Sequence, residues 1–544
     1  MSKKKCFAMV GALTVVFLGL ASCQQENVVK SFPEGAEAEI RFQNNSVAVS
    51  GGGVSVDGTT VTISQGGDYT VSGNAQKGRI KVEADTEAAV TLRLKGLNLT
   101  NEEKEPIEIK TAKSATIVLE DGTENVLVSG KEGSQVTEEA TGAALFVKTD
   151  LTLKGNGVLK VNGYLNDGIK AQKNLTVESG EYDITSASDA MVAEGNLTIA
   201  GGVIGISTGE GSTSVEVPTF EQRGGPDMSW DMEEEENTIS TKGIKCTGTC
   251  TITGGEITVD AQDDAIHADA DIVLEQGKVS LSTGDDGMHA EKNLTIKDGS
   301  VQITKSNEGL EANRIFIHKG TVDLVSYDDG MNAYGGQNNM GGGPGGGSTK
   351  TTEETPQLSI YGGTVHVDSE GDGLDSNGEL LIEGGEIVVD GPVSSGNGAL
   401  DIGTENGGFC RVTGGTVLAL GAAGMAESFD DSSTQASFCY NHTETIVAGS
   451  QVEICDAKGK SIYSYKTKKD GSSIVFSSPE LKKGQKYTLK INDESVEISQ
   501  DKMAVTEGES GGGFGGGFRG GFEKKGDPGA GRGPGDGRGV RPQF

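Results

Sequence analysis

The chain has 544 residues, of which 85 are glycine and 11 are proline, and aromatic residues make up 5%. This balance is typical of many tight turns between short strands, and neither disorder nor a large aromatic core is needed to explain it. The formal net charge of -34 at pH 7 argues against nucleic acid as a partner. It would also repel a bare acidic polymer unless cations mediate the contact.

The N-terminus is predicted to be a lipoprotein signal peptide covering residues 1–22. Lysines occupy positions 3–5, and residues 7–20 form an apolar segment that is short for a membrane span. Residues 20–23, Leu-Ala-Ser-Cys, resemble a bacterial lipobox. This resemblance implies cleavage before Cys23 and lipidation of its sulfur, with an ordinary secretory signal as the alternative. We therefore expect a protein anchored by lipid in the bacterial cell envelope, at the outer membrane or the cell surface.

One six-residue motif recurs eight times in the middle of the chain. It consists of an acid or amide, an acid, Gly or Ala, Ile/Leu/Met, a variable residue and a small residue. The copies begin at Asn166, Ser188, Thr241, Asp263, Asp285, Asn307, Asp328 and Gly371. Most consecutive copies begin 21 or 22 residues apart, and insertions at about 210–238 and 334–356 account for the longer intervals. Repeats on this period indicate a solenoid.

The segments between the motif copies consist of short strand-like runs separated by glycine turns, and they leave no room for a helix. We therefore predict an all-β fold, a right-handed parallel β-helix with about 22 residues per rung over residues 38–433. Residues 23–37 are expected to be a tether. A small β module is predicted over 434–500 and a disordered glycine-rich tail over 501–544.

Two columns of the motif are expected to line the core. The Ile/Leu/Met position and the small residue two places later share one face of a strand. Cys246 and Cys250 fall in such inward columns and are interpreted as small buried apolar residues. The odd number of cysteines after Cys23 does not favour a disulfide framework, although a bridge between Cys246 and Cys250 remains an alternative.

The leading acids of the motif are candidate Ca²⁺ ligands. They would stack about 4.8 Å apart as an exposed ladder, and carboxylate oxygens are the ligands that Ca²⁺ prefers. The candidate metal ligands are Asp263, Asp264, Asp285, Asp286, Glu308, Asp328, Asp329 and Asp372. The alternative is that Asp and Gly form the turn before each strand and do nothing else. Lys242 replaces the second acid in one copy and is expected to interrupt the ladder.

The variable position of the motif is predicted to point outward and to contact a ligand. The candidate ligand-binding residues are His267, His289, Glu311 and Asn332, together with Trp230 of the first insertion. His267 and His289 should stack on neighbouring strands, but the sequence shows no third close ligand for a zinc site. A solvated polar face is the alternative interpretation.

The repeated motif resembles that of a bacterial family of carbohydrate-binding parallel β-helix domains. Residues 63–73, ISQGGDYTVSG, and residues 119–125, LEDGTEN, carry the same resemblance, which covers roughly residues 38–430. It implies a secreted or surface protein that binds acidic or cellulosic plant polysaccharides and carries Ca²⁺. It also implies a fold related to pectate lyases in a family that binds rather than cleaves. We expect a monomer whose partners are a polysaccharide and, through the lipid, a membrane.

Two other functions remain open from the sequence. A polysaccharide lyase or hydrolase would need a base beside its calcium, and Lys245 is the candidate offered by the motif copies. The Gly-His-Gly and Arg-Ile-Lys motifs that accompany paired acids in polygalacturonase-like hydrolases are missing, so no catalytic residue is assigned. In a structural or adhesive surface protein, the acids would serve only as turn formers and solubilising charge.

Overall fold

The computed structural model describes residues 35–134, 142–215, 239–334, 354–403 and 407–508. The predicted signal peptide with Cys23, most of both insertions including Trp230, and the tail from residue 509 onward lie outside these residues. Among the residues that are described, none forms a helix with the length and apolar character that crossing a membrane requires.

The described part of the chain contains strands, one 3-10 turn at Ser212–Ser214 and no α-helix. The strands before the first motif copy are β1 Ala36–Gln43, β2 Ser46–Gly51, β3 Val54–Asp57, β4 Thr60–Ile63, β5 Gly67–Ala75, β6 Arg79–Glu83, β7 Val90–Asn101, β8 Ile107–Thr111, β9 Ser114–Leu119, β10 Glu124–Ser129, β11 Ala143–Val147, β12 Asp150–Gly155 and β13 Val158–Gly163. The strands of the repeat region are β14 Asp167–Ala171, β15 Leu175–Val177, β16 Glu181–Ser186, β17 Met191–Ala193, β18 Leu197–Ile199, β19 Val203–Thr208, β20 Ile244–Cys246, β21 Cys250–Ile252, β22 Glu256–Ala261, β23 Ile266–Ala268, β24 Ile272–Leu274, β25 Lys278–Thr283, β26 Met288–Ile296, β27 Ser300–Lys305, β28 Leu310–Ile317, β29 Thr321–Ser326, β30 Met331–Ala333, β31 Gln357–Ile360, β32 Thr364–Ser369, β33 Leu374–Ser376, β34 Glu379–Ile382, β35 Glu386–Asp390, β36 Leu400–Ile402, β37 Phe409–Val412 and β38 Thr416–Gly421. The C-terminal strands are β39 Ser437–Ile446, β40 Gln451–Asp456, β41 Ser461–Lys466, β42 Gly471–Ser477, β43 Lys486–Ile491, β44 Glu494–Ser499 and β45 Ala504–Gly508.

The repeat region pairs in three parallel ladders. Ladder A joins the strands of the motif copies, β14, β17, β20, β23, β26, β28, β30, β33 and β36. Ladder B joins β12, β15, β18, β21, β24, β26, β28, β31, β34 and β37. Ladder C joins β13, β16, β19, β22, β25, β27, β29, β32, β35 and β38. The all-β prediction with a long, mostly parallel sheet is confirmed, while handedness and residues per rung stay predictions.

The inward columns of the motif are confirmed. Their side chains are fully buried, and they are Ile169, Met191, Ile244, Ile266, Met288, Leu310, Met331 and Leu374 with Ala171, Ala193, Cys246, Ala268, Ala290, Ala312, Ala333 and Ser376. Each large apolar member stabilises the fold by about 1.5–3 kcal/mol through burial. Because strand partners such as Ile266 and Met288 occupy the same column, the core continues unbroken along ladder A.

The glycines that separate the strand runs are required by the backbone. Gly255 and Gly277 have φ of 96° and 120°, a region that side chains other than that of glycine rarely adopt. A Cβ at Gly277 would lie 3.1 Å from the carbonyl oxygen of Gly255. The regular spacing of these glycines in the sequence therefore reflects equivalent turns stacked on one another.

The cysteines among the described residues are all free and buried, namely Cys246, Cys250, Cys410, Cys439 and Cys455. No Cys246–Cys250 bridge forms, which agrees with their interpretation as small core residues.

The C-terminal strands continue the long sheet and also build a second core. β42 pairs antiparallel with β38 of ladder C, and β39 pairs with β42 and β45. β40, β41, β43 and β44 form a separate four-stranded sheet, with buried residues such as Phe438, Phe476 and Leu489 between the layers. The predicted module over 434–500 is thus hydrogen bonded to the last strand of the repeat region.

Candidate metal and ligand-binding site

The second acid is buried in four of the motif copies. Asp264 is 1% exposed and Asp286 is 5% exposed, and Asp167 and Asp189 are equally enclosed at 3% and 5%. The prediction of an exposed ladder is therefore wrong for these positions. The second acids Glu308, Asp329 and Asp372 are half-buried. Among the first acids, Asp285 is exposed and Asp263 is half-buried.

The buried acids form a hydrogen-bond ladder with the backbone. Oδ1 of Asp264 accepts the backbone N–H of Asp286 at 3.2 Å, and Oδ1 of Asp286 accepts that of Glu308 at 3.3 Å. Oδ1 of Asp329 accepts the N–H of Asp372 at 2.7 Å. Since a buried N–H needs an acceptor, one carboxylate oxygen has a structural role in each copy. The other oxygen, Oδ2, is left for a cation.

At one end of ladder A, lysines supply that cation. Nζ of Lys242 lies 2.7 Å from Oδ1 of Asp263 and 2.6 Å from Oδ2 of Asp264. Burial alone would raise the pKa of Asp264, but His267 and Lys242 lower it below its usual range. Burial would likewise lower the pKa of Lys242, yet the two carboxylates raise it. Lys242 therefore does not interrupt the ladder but fills it with an internal ammonium group.

Two histidines meet the carboxylates at the centre of ladder A. The rings of His267 and His289 stack as predicted, with centroids 4.8 Å apart. Nδ1 of His267 lies 2.8 Å from Oδ2 of Asp264. Nδ1 of His289 lies 3.2 Å from Oδ2 of Asp286 and 3.0 Å from Oε2 of Glu311. The inference that no third close ligand exists is wrong, because parallel pairing brings Glu311 of the next strand beside His289.

At the other end of ladder A, Glu308, Asp329 and Asp372 form no ion pair with a lysine or an arginine among the described residues. Desolvation, together with Asp286 and Asp329, raises the pKa of Glu308 far above its ordinary value. Desolvation and then Asp372 raise the pKa of Asp329 to about 7. Desolvation also raises the pKa of Asp372 to about 7. Carboxyls with a pKa of about 7 or higher carry a proton for half of the time or more at neutral pH unless a cation is supplied.

Two carboxylates converge above Gly371. A Cβ at Gly371 would lie 2.5 Å from Oδ1 of Asp329 and 2.7 Å from Oδ1 of Asp328. This cradle, with Asp372 in the same copy, offers only oxygen donors, which suit Ca²⁺. The donor set therefore fits Ca²⁺ better here than at Asp263, Asp264 and Asp285, where Lys242 already lies between the carboxylates.

The variable positions of the motif align as one column on ladder A, called here the outward column. Its members are Lys170, Val192, Lys245, His267, His289, Glu311, Asn332, Asp375 and Asp401. Nδ2 of Asn332 donates to Oε2 of Glu308 at 3.1 Å. The predicted ligand residues thus lie side by side, apart from Trp230, which is outside the described residues.

Sequence reasoning missed one member of this column. Asp401 belongs to a ninth, degenerate motif copy at residues 397–402, NGALDI, in which Asn-Gly replaces the acidic pair. Beside the column, the hydroxyl of Tyr334 lies 3.4 Å from Nε2 of His289.

Lys245, the candidate base, is already engaged. Its Nζ lies 3.2 Å from Oδ2 of Asp189 and donates to Oγ of Ser240 at 3.1 Å. These contacts hold it as a partner of the ladder, so its assignment as a base has no further support.

The start of the first insertion packs against ladder C. The N–H of Ser212 donates to Oδ1 of Asp260 at 2.8 Å, and Nζ of Lys305 donates to the carbonyl of Val215 at 3.2 Å. Asp260 and Lys305 end strands of ladder C, just before motif copies. A cleft walled by both insertions stays a prediction, because the remainder lies outside the described residues.

Comparison with known proteins gives a consistent class of relatives. A family model described as "Carbohydrate-binding domain-containing protein" matches residues 57–224 and 174–287. A protein of Acetivibrio thermocellus with the same description is 34% identical over 192 residues, which are 34% of this chain and 66% of that protein. The match thus spans slightly less than two thirds of the relative. A solved structure, "Structure of the polysaccharide lyase-like protein from C. thermocellum, Gadolinium derivative", has 29% identity and a TM-score of 0.39, covering 51% of this chain and 99% of that chain. The predicted resemblance to a carbohydrate-binding family is confirmed in this coarse form.

Proposed function

We propose that this protein is a lipid-anchored envelope protein that binds an acidic or plant cell-wall polysaccharide through a Ca²⁺-carrying face of a right-handed parallel β-helix. The observation that carries the proposal is the match of residues 57–224 and 174–287 to a carbohydrate-binding family. The second match includes the motif copies that begin at Ser188, Thr241 and Asp263.

The outward column supports binding of a linear polymer. Strand partners in a parallel ladder lie about 4.8 Å apart, so its side chains form a straight row that is polar except at Val192. Seven of its nine members carry a charged or imidazole group. Such a row can contact successive sugars along one chain.

Charge supports a role for Ca²⁺ in this binding. With a net charge of -34, the protein would repel an acidic polysaccharide unless cations lie between them. The oxygen donors Glu308, Asp328, Asp329 and Asp372 would hold the ion. When bound, Ca²⁺ offsets the buried carboxylates and leaves coordination positions for sugar oxygens.

Thermal unfolding and polysaccharide pull-down of the full chain test this proposal. We expect Ca²⁺ to raise the unfolding temperature, with a stabilisation of about 2.7 kcal/mol at 100 times the Kd. The double variant Asp329→Asn/Asp372→Asn should lose most of this response, since each Asn keeps the Oδ1 acceptor of the ladder. Asp167→Asn is the matched control, because Oδ2 of Asp167 already faces Lys170 at 3.3 Å.

Polygalacturonate should retain the wild-type protein with Ca²⁺ and release it with EGTA. Failure to bind polygalacturonate, cellulose or any other polysaccharide tested would contradict the binding function. Binding that persists unchanged in EGTA would contradict only the role of Ca²⁺.

The anchor is tested separately through Cys23. We expect Cys23→Ser to move the protein from the membrane fraction to the soluble fraction. Unchanged membrane association would contradict lipidation at this residue.

A further inference from the structure

The centre of ladder A combines imidazole and carboxylate donors, unlike the oxygen-only end. We propose that Asp286, His289 and Glu311 bind a divalent transition-metal ion such as Zn²⁺. Nδ1 of His289 lies 3.2 Å from Oδ2 of Asp286 and 3.0 Å from Oε2 of Glu311. All three donor atoms lie within 4.8 Å of one another. The inference does not depend on polysaccharide binding.

These separations suit a shared ion. Ligands about 2.0–2.1 Å from Zn²⁺ lie about 3.0–3.4 Å from one another around the metal. The two nitrogen–oxygen distances of 3.2 and 3.0 Å fall in that range. An ion can therefore replace the proton that now joins His289 to the carboxylates, with little movement of the side chains.

The three side chains are fixed before any ion arrives. His289 and Glu311 face each other across the parallel pairing of β26 and β28. Oδ1 of Asp286 accepts the N–H of Glu308 at 3.3 Å, which leaves Oδ2 directed at His289. Nε2 of His289 lies 3.4 Å from the hydroxyl of Tyr334. When Nε2 donates its proton to this hydroxyl oxygen, the Nδ1 lone pair is available to a metal, as in ligating histidines whose outer partner accepts from the second ring nitrogen.

The charges also call for a divalent ion. Among the described residues, the ion-pair partner of both Asp286 and Glu311 is His289, and neither faces a lysine or an arginine. Two ionised carboxylates this close repel, and burial strengthens the repulsion. Two carboxylates, one neutral imidazole and one divalent cation make an electrically neutral site.

The donor set selects against Ca²⁺ at this position. Ca²⁺ takes six to eight oxygen ligands, whereas a ring nitrogen lies between the two carboxylate oxygens here. Imidazole favours Zn²⁺, Ni²⁺, Cu²⁺ and Fe²⁺. The neighbouring group of Asp264, His267 and His289 is a weaker candidate, because Lys242 already neutralises Asp264 at 2.6 Å.

Metal titration of the full chain tests the assignment. The protein is stripped of metal with EDTA and re-equilibrated in excess Ca²⁺ under reducing conditions. It is then titrated with Co²⁺, followed by visible absorption, and with Zn²⁺ in competition with a chromophoric chelator. We expect one equivalent to bind. His289→Gln and Glu311→Gln should each weaken binding at least tenfold, while His318→Gln should not. His318 is exposed and stacks on Tyr361, with ring centroids 4.7 Å apart.

Each contrary result is distinct. Equal Zn²⁺ affinity in the wild type and both site variants would overturn the assignment, as would displacement of Co²⁺ by millimolar Ca²⁺. A thiolate-to-Co²⁺ charge-transfer band would place the ion at Cys246 and Cys250 instead. Glu311→Gln removes a carboxyl that has no lysine partner, so without metal this variant should unfold at the same temperature as the wild type. The test therefore stays valid if His289→Gln fails to fold.

Discussion

The two ends of ladder A are built from the same motif, but they differ in how the negative charge of its carboxylates is neutralised. At the N-terminal end, Oδ2 of Asp167, Asp189 and Asp264 lies within 3.3, 3.2 and 2.6 Å of a lysine Nζ, supplied by Lys170, Lys245 and Lys242 respectively. At the C-terminal end, Glu308, Asp329 and Asp372 form no ion pair with a lysine or arginine in the described part of the chain. The N-terminal end therefore neutralises its carboxylates with its own lysines. The carboxylates of the C-terminal end require protons or added cations.

The pKa values follow this division. Lys242 and His267 hold the pKa of Asp264 below its usual range despite burial, whereas desolvation and neighbouring acids raise that of Asp329 to about 7. Asp167 is intermediate, since desolvation raises its pKa to about 6 even beside Lys170. The acid is buried at the N-terminal end and half-buried at the C-terminal end. The difference teaches that the lysines around it decide whether a site remains for an ion.

Removing the internal cation should give the largest effect. Lys242→Met keeps the apolar stem but leaves Asp264, which is 1% exposed, without its ammonium partner. Breaking a buried pair costs about 3–5 kcal/mol, and we expect about 3 kcal/mol in urea unfolding without Ca²⁺. Ca²⁺ should restore part of this loss, because Asp263, Asp264 and Asp285 then form an oxygen-only cluster.

Lys245→Met is the control for this variant. The Lys245 side chain is 31% exposed, against 16% for Lys242, so water can replace it and the loss should be smaller. If both variants lost equal stability and neither responded to Ca²⁺, the ammonium of Lys242 would not be acting in place of a metal ion.

On ladder C, the C-terminal strands and the loop after β41 supply the cations and partners for buried acids. His366 lies between Oδ1 of Asp323 at 2.8 Å and Oδ2 of Asp390 at 3.1 Å. Tyr465 donates to Asp390, and Nζ of Lys468 approaches Nε2 of His366 at 3.0 Å. Burial and Lys468 lower the pKa of His366, but the hydrogen bonds to Asp390 and Asp323 outweigh them and raise it.

This contact should make stability depend on pH. A raised histidine pKa stabilises the fold below the unfolded value of about 6.5, and the stabilisation is lost as the pH rises through the folded value. Burial would raise the pKa of Asp390, but His366 and Tyr465 lower it, so its contribution is present above about 3.9 and lost as the pH falls through the folded value. We expect the wild type to be more stable near pH 5.5 than at pH 8 by about 1 kcal/mol through this contact.

Thermal unfolding of the wild type, His366→Gln and His318→Gln across pH 5–8 measures the effect. His366→Gln should reduce the pH dependence by about this amount and leave the part due to Asp329 and Asp372. His318→Gln, which changes an exposed ring, should keep all of it. An unchanged slope in His366→Gln would show that His366 and Asp390 do not link the C-terminal strands to the repeat region.

The core of ladder A could be predicted from the sequence because its periodicity is local. Ile266 and Ala268 stand two apart on one strand face, and their recurrence every 22 residues fixes the register. Burial of Asp264 could not be predicted in this way. A turn aspartate is usually solvated, and only parallel pairing shows that its Oδ1 replaces water as the acceptor of the N–H of Asp286.

The candidate site was only partly predictable for the same reason. The stacking of His267 on His289 follows from the period, and so does the alignment of Glu311 and Asn332. The ligand geometry depends on which oxygen each carboxylate gives to the backbone, and that division is absent from the sequence pattern. Lys242 acts as an internal cation because its side chain points toward Asp263 and Asp264. The presence of a lysine at this motif position did not by itself show that direction.

The smallest effect is expected for an ion pair that joins neighbouring strands at the exposed surface. Nζ of Lys278 lies 2.7 Å from Oε1 of Glu256, and their side chains are 62% and 52% exposed. Exposed pairs stabilise a fold by about 0–1 kcal/mol because water screens them and ordering the side chains opposes the gain. Lys278→Ala should therefore change the urea unfolding free energy by about 0.5 kcal/mol or less. A loss as large as that of Lys242→Met would mean that pairing between neighbouring strands, rather than burial, sets the strength of the charge contacts, and the contrast between the two ends of ladder A would lose its physical basis.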